Sequence, residues 1–131
     1  MNEKQLMEMM VQVKRAGNLL HEVFDVSQQM AEVADRGDEV SLRMLLGMRA
    51  EPLSRLLETD RVLKLLVEQL PEREEREHYR GVLNGEGSDL PQDARLVEQC
   101  ELNRRLYARV MEIDRRINLK LAREKSVYME I

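Results

Sequence analysis

LMEMMVQVKRAGNLLHEVFDVSQQMAEVA, residues 6–34, places Leu6, Met9, Val13, Ala16, Leu20, Val23, Ser27, Met30 and Ala34 at alternating spacings of three and four. That spacing puts nine side chains on one stripe of a helix, and a helix with one apolar stripe must bury it against another helix. At about 1.5 Å of rise per residue the segment reaches roughly 45 Å, longer than most helices of compact domains. The stripe therefore predicts a rod-like, all-α protein.

Working outward, the first helix is expected from about Glu3 to Ala34, ending at Asp35-Arg36-Gly37-Asp38. Gly37 suits the positive φ of a helix C-terminus, and Asp38 can accept a backbone N–H at the start of the next helix. The two helices should be antiparallel neighbours. The second carries Val40, Leu42, Leu45, Leu46, Leu53, Leu56, Leu57, Leu63, Leu66, Val67 and Leu70 at mostly helical spacing. Pro52 lies inside it, and a kink or short break is expected near Met48–Glu51 because proline lacks a donor and crowds the preceding turn. Leu70-Pro71 marks a second break. Residues 84–91, Asn-Gly-Glu-Gly-Ser-Asp-Leu-Pro, form the clearest loop, with Ser88 or Asp89 expected to cap the last helix. That helix carries Leu96, Leu106, Val110, Ile113, Ile117 and Leu121 on one stripe. The expected architecture is an antiparallel bundle of three long helices in a single domain over 1–131, with room for a short extra helix at residues 72–83.

Composition agrees. Charged residues make up 35 % and aromatics 3 %, a long-helix profile lacking the aromatic bulk of a deep-pocketed core. The formal charge of -4 argues against a nucleic-acid partner. Arg104, Arg105, Arg109, Arg115, Arg116, Lys120 and Arg123 are interleaved with Glu101, Glu112, Asp114 and Glu124, which reads as a solvated, ion-paired face. No run approaches the eighteen or so apolar residues of a membrane span, and no leader-like apolar run follows the first residues, so a cytoplasmic protein is expected.

Chemistry-bearing residues are sparse. His21 and His78 each stand without a second His or Cys at helical ligand spacing, so no metal site is expected. Cys100 lacks a nearby histidine to serve as base and reads as a packed core thiol. Glu74-Glu75 and Glu112/Asp114 have no apolar pocket to shift them toward acid–base work. Gly85-Glu86-Gly87 has neither a preceding strand nor a following Lys-Ser or Lys-Thr, so it is a turn and not a phosphate loop. No cofactor and no catalytic residue is expected. The nine methionines are another matter, because thioethers pack adaptably on partner surfaces. Met9, Met30 and Met111 fit core filling, Met7 and Met10 flank the seam, and Met44 and Met48 are placed to line a groove for a foreign helix. The apolar C-terminus, Ser126 to Ile131, is expected to order on a partner.

From Gly37 the chain reads GDEVSLRMLLGMRAEPLSRLL, and from Asn103 it reads NRRLYARVMEID. The order resembles the flagellar type III export chaperones, the FlgN-like group and its filament-cap relatives. Their pattern of a long first helix, an acidic turn, a Leu-x-x-Leu-x-x-x-Arg helix and a long last helix falls here on Asp38, Leu42, Leu45, Arg49 and Leu53, then on Asn103, Leu106, Val110 and Ile113. Pro52 and the charged run at residues 72–77 depart from it. The resemblance implies a cytoplasmic chaperone that holds the helical terminus of a hook-associated export substrate and delivers it to the secretion apparatus. The expected partner-binding residues are Leu42, Leu45, Leu46, Met48, Leu53, Leu106, Val110 and Ile113. Two other readings stand beside it. One is a structural or regulatory coiled-coil protein, and either it or the chaperone is compatible with a homodimer. The other rests on residues 112–124, EIDRRINLKLARE, which resemble the opening helix of the all-helical chorismate mutases but stand at the end of this chain.

Overall fold

The computed structural model describes the backbone of residues 1–130 and the side chains of residues 1–124. Those residues form four α-helices and no strand: α1 (Glu3–Asp35), α2 (Glu39–Glu68), α3 (Arg73–Leu83) and α4 (Ala94–Glu130), the last entered through a 3-10 turn at Pro91–Asp93. The bundle thus has four helices where three long ones were expected, the short α3 occupying the residues left for an extra helix.

Helix ends follow from local chemistry. Asn2 accepts the Gln5 N–H at 2.8 Å while its own N–H donates to Gln5 Oε1 at 3.0 Å, a reciprocal cap at the start of α1. At the other end Gly37 takes φ +72°, and the N–H groups of Gly37 and Asp38 reach back to the carbonyls of Ala34 and Val33. Asp38 then caps α2, accepting from the Ser41 N–H at 3.0 Å and the Ser41 hydroxyl at 2.6 Å. These bonds from Ser41 hold the Asp38 carboxyl below its ordinary value. The reversal makes α1 and α2 antiparallel, as expected. Helix α4 returns parallel to α1: Asn103 Nδ2 donates to the Val13 carbonyl at 2.9 Å, and far along both helices Lys120 meets Asp35 at 3.3 Å.

Helix α2 is not interrupted at Pro52; it runs unbroken from Glu39 to Glu68 with the proline ring buried inside it. The cost of an interior proline, about 3 kcal/mol, is offset by the apolar flanks Leu45 and Leu63, which are buried in packed clusters with α1. Pro52→Ala restores the missing bond to the Met48 carbonyl and loses only part of a ring's burial, so it should stabilise the protein by about 1 kcal/mol. A thermal midpoint below that of the wild type would refute this account.

The core lies in three stacked clusters along α1. At the α3 end, Met9 and Val13 pack with Leu63, Val67, Tyr79, Val82, Leu96 and Cys100. In the middle, Leu20, Val23 and Phe24 meet Leu106 and Val110. At the far end Met30, Val33 and Ala34 meet Leu42, Leu45 and Ile117. Cys100 is the expected core thiol, and burial pushes it up to about 11. Met9 and Met30 are core residues, whereas Met111, expected with them, is 48 % exposed. The C-terminal segment from Ser126 lies outside the described side chains. Among the described residues no helix is long and apolar enough to cross a membrane.

Candidate functional site

Helix α1 packs against both α2 and α4, yet no Cα of α2 comes within 8 Å of one of α4 among the described residues. Two helices resting on a third without closing on each other leave a groove. Its floor is the α1 stripe at Val13, Ala16 and Leu20; Leu56, Leu57 and Leu63 form one wall, and Cys100, Tyr107 and Ala108 the other. The groove encloses about 970 Å³, and Arg80, Leu83 and Asn84 line it at the α3 end. Leu57, 73 % exposed, and Tyr107, 54 % exposed, face water along its rim.

Further along the bundle a polar bridge spans the gap. Arg49 of α2 donates one guanidinium nitrogen to Ser27 of α1 at 3.0 Å and to Asp114 of α4 at 2.6 Å. The Arg49 side chain is only 12 % exposed, and its Nε is buried without a hydrogen-bond partner. Three helices are tied at one level by this one side chain. Ser27, the one polar member of the α1 stripe, is fully buried because it accepts that bond.

The eight residues expected to receive a partner do not form one exposed surface. Leu42, Leu45, Leu106 and Val110 are buried in the α1 clusters, and Ile113 packs half-buried between two of them. Leu46, Met48 and Leu53 are exposed, with Met48 about 200° around α2 from Leu46. Met44 and Met48, expected to line a groove, lie exposed on α2 but do not line this one. Leu56, Leu57 and Tyr107 line the groove and are not among those eight. Their signal was the paired leucines Leu45-Leu46, Leu56-Leu57 and Leu65-Leu66, which give α2 an apolar arc wider than one seam requires.

A second polar centre lies at the α3–α4 junction. Asp93, fully buried, accepts from the Tyr79 hydroxyl at 2.6 Å and the Ser88 hydroxyl at 2.7 Å, and lies 2.9 Å from His78 Nε2. Thus His78, expected to stand alone, belongs to a cluster; of the expected caps Ser88 and Asp89 neither caps the turn into α4, whose N-cap is Leu90, and Ser88 holds Asp93 instead. Burial alone would raise the Asp93 carboxyl, but the hydrogen bonds from His78, Tyr79 and Ser88 outweigh it and keep the value below the ordinary range. Burial, with the bond to Asp93, pushes the Tyr79 phenol up to about 12. Ser, His and Asp meet here, but Nε2 of His78 is the nitrogen near both Ser88 and Asp93, and the Ser88 proton points to the carboxylate. A nucleophilic triad needs the serine and the acid on opposite ring nitrogens, so this geometry relays no proton from Ser88. The cluster pins the loop after α3 to the start of α4 and thereby sets the end of the groove. Among the described residues no group of three His, Cys, Asp or Glu is placed to hold a metal ion.

No protein-family model, curated protein or solved structure matches this chain.

Proposed function

We propose that the protein is a cytoplasmic export chaperone of the FlgN-like kind, which holds the amphipathic helical terminus of an unfolded hook-associated protein between α2 and α4. The observation that supports this reading is the groove between α2 and α4, whose accessible apolar lining is the exposed Leu57 and Tyr107 with the half-buried Ala16, Leu56 and Leu83, above the buried Val13 and Leu20. A helix is the occupant whose width suits a gap between two helices backed by a third, because packed helix axes lie about 8–10 Å apart. Seating it would complete a bundle and bury apolar surface on both partners, at roughly 1.5–3 kcal/mol per fully buried aliphatic side chain. Three or four such anchors, less the cost of ordering the segment, correspond to micromolar binding. No catalytic step is part of this function, and the reaction of the chorismate mutases is not proposed for it.

Calorimetry with peptides from the termini of hook-associated proteins tests the reading. At least one should bind in the micromolar range, and Leu57→Lys should weaken it at least tenfold with little change in the thermal midpoint, since Leu57 is mostly exposed in the free chain. A folded protein that binds none of these peptides would favour the structural coiled-coil reading. That second reading has its own support in Val40, Met44 and Met48, spaced by one turn and exposed along α2, a stripe suited to pairing two copies. Sedimentation equilibrium of Met44→Glu against wild type distinguishes it, because a dimer built on that stripe should dissociate.

A further inference from the structure

Two arginines stand at the α3 end of the groove, Arg80 on α3 and Arg104 on α4. Among the described residues neither has a carboxylate within 4 Å, although the chain as a whole carries a formal charge of -4. Arg104 uses one guanidinium nitrogen on the Gly85 carbonyl at 3.3 Å, which leaves its other donors open. Gly85 permits this placement: it sits at φ +96°, and a β-carbon there would occupy the space of the Arg104 guanidinium. Both arginines lie near the C-terminal end of α3, where the helix dipole favours cations, so the free protein can keep them without carboxylate partners. On the opposite wall Lys64 is already satisfied by Asp60 at 3.1 Å, and Glu68 at the end of α2 adds a carboxylate that keeps an acidic flank off that side. The groove is therefore apolar along its floor and cationic along its α3–α4 edge.

We infer that the groove selects an amphipathic helix bearing carboxylates on one flank, seated with that flank against Arg80 and Arg104. This deepens the chaperone reading and rests on it, since it names the chemistry of the segment held there. The sidedness carries a further consequence. A helix laid apolar face down exchanges its left and right flanks when its direction is reversed, so an acidic flank on a fixed side of the occupant admits one direction of binding.

Two synthetic twenty-residue peptides test the inference, both with leucines on one face and one flank carrying glutamates in the first and glutamines in the second. Each rim arginine is exposed and worth roughly a factor of two to three. The glutamate peptide should accordingly bind about fivefold more tightly at low salt, an advantage that fades at high ionic strength. Arg80→Glu combined with Arg104→Glu should weaken the glutamate peptide at least tenfold and leave the glutamine peptide within twofold. Should Arg104→Glu disturb the loop at Gly85, Arg80→Glu alone should give about a fivefold loss confined to the glutamate peptide. Equal affinities for the two peptides, or equal losses in the variants, would overturn the inference while leaving a helix-binding groove in place. Binding of neither peptide by folded protein would overturn both readings. A wild-type dimer that Leu57→Lys converts to monomer would show the groove filled by a second copy, and would overturn the inference too.

Discussion

Asp93→Ala should destabilise the protein by about 3 kcal/mol and lower the thermal midpoint by about 12 °C, the largest effect expected from any single polar substitution. Asp93 is fully buried and gathers bonds from Tyr79, Ser88 and His78, and Tyr79 is itself only 2 % exposed. Without the carboxylate the phenol keeps a buried hydroxyl with no strong acceptor, and the desolvation already incurred is no longer offset. Tyr79→Phe removes the same bond from the other side and leaves the carboxylate two partners, so its cost should be smaller, about 1 kcal/mol. The effect also has a pH signature. Because the folded Asp93 carboxyl lies below its ordinary value, the stability it contributes is fully present above the unfolded value of about 3.9 and is lost as pH falls through the folded value. Wild type should therefore lose stability in that acid window, and Asp93→Ala should lack this component. Denaturant melts between pH 2 and 7 check the sign; a midpoint change of less than about 3 °C in Asp93→Ala at neutral pH would refute the account.

The second large effect is a contrast between two neighbours on α2. Leu45→Glu should cost at least about 4 kcal/mol, because Leu45 is 5 % exposed among Met30, Val33, Leu42 and Ile117 and a carboxylate there has no partner. Met48→Glu, at a position 56 % exposed, should stay within about 0.5 kcal/mol. Urea melts of both variants measure the difference. Similar stabilities for the two would mean that α2 does not present Leu45 to α1, and the core as described would be wrong. The contrast also bears on binding studies, since loss of a partner in Leu45→Glu reports unfolding and not the removal of a contact.

Periodic and local features of this chain are legible in its sequence, whereas contacts between distant residues are not. The α1 stripe, the turn at Gly37-Asp38 and the stripe of α4 were legible because they depend on periodicity and on local hydrogen bonds, both written within a few residues of one another. The helix through Pro52 was not, since its continuity is decided by burial against α1 at positions distant in the chain. The Asp93 cluster was not legible either: His78, Tyr79, Ser88 and Asp93 follow no period and meet only because a glycine-containing loop folds α3 back on α4.

For the candidate site the division is sharper. An apolar position at helical spacing is the same letter whether it faces the core or water. Leu45 and Leu46, or Leu56 and Leu57, are therefore indistinguishable until neighbouring helices take their places. Periodicity and turn chemistry within the chain suffice to make the protein helical, to choose the buried stripe of α1 and to place the turn between α1 and α2. It was tertiary packing that set α2 and α4 on α1 with no close backbone approach between them and with Arg49 and Asp114 bridging the gap, since the separation of two helix axes depends on the bulk of side chains they share with a third. It thereby assigned Leu42, Leu45, Leu106 and Val110 to the core and left Leu57 and Tyr107 at the rim of an open groove.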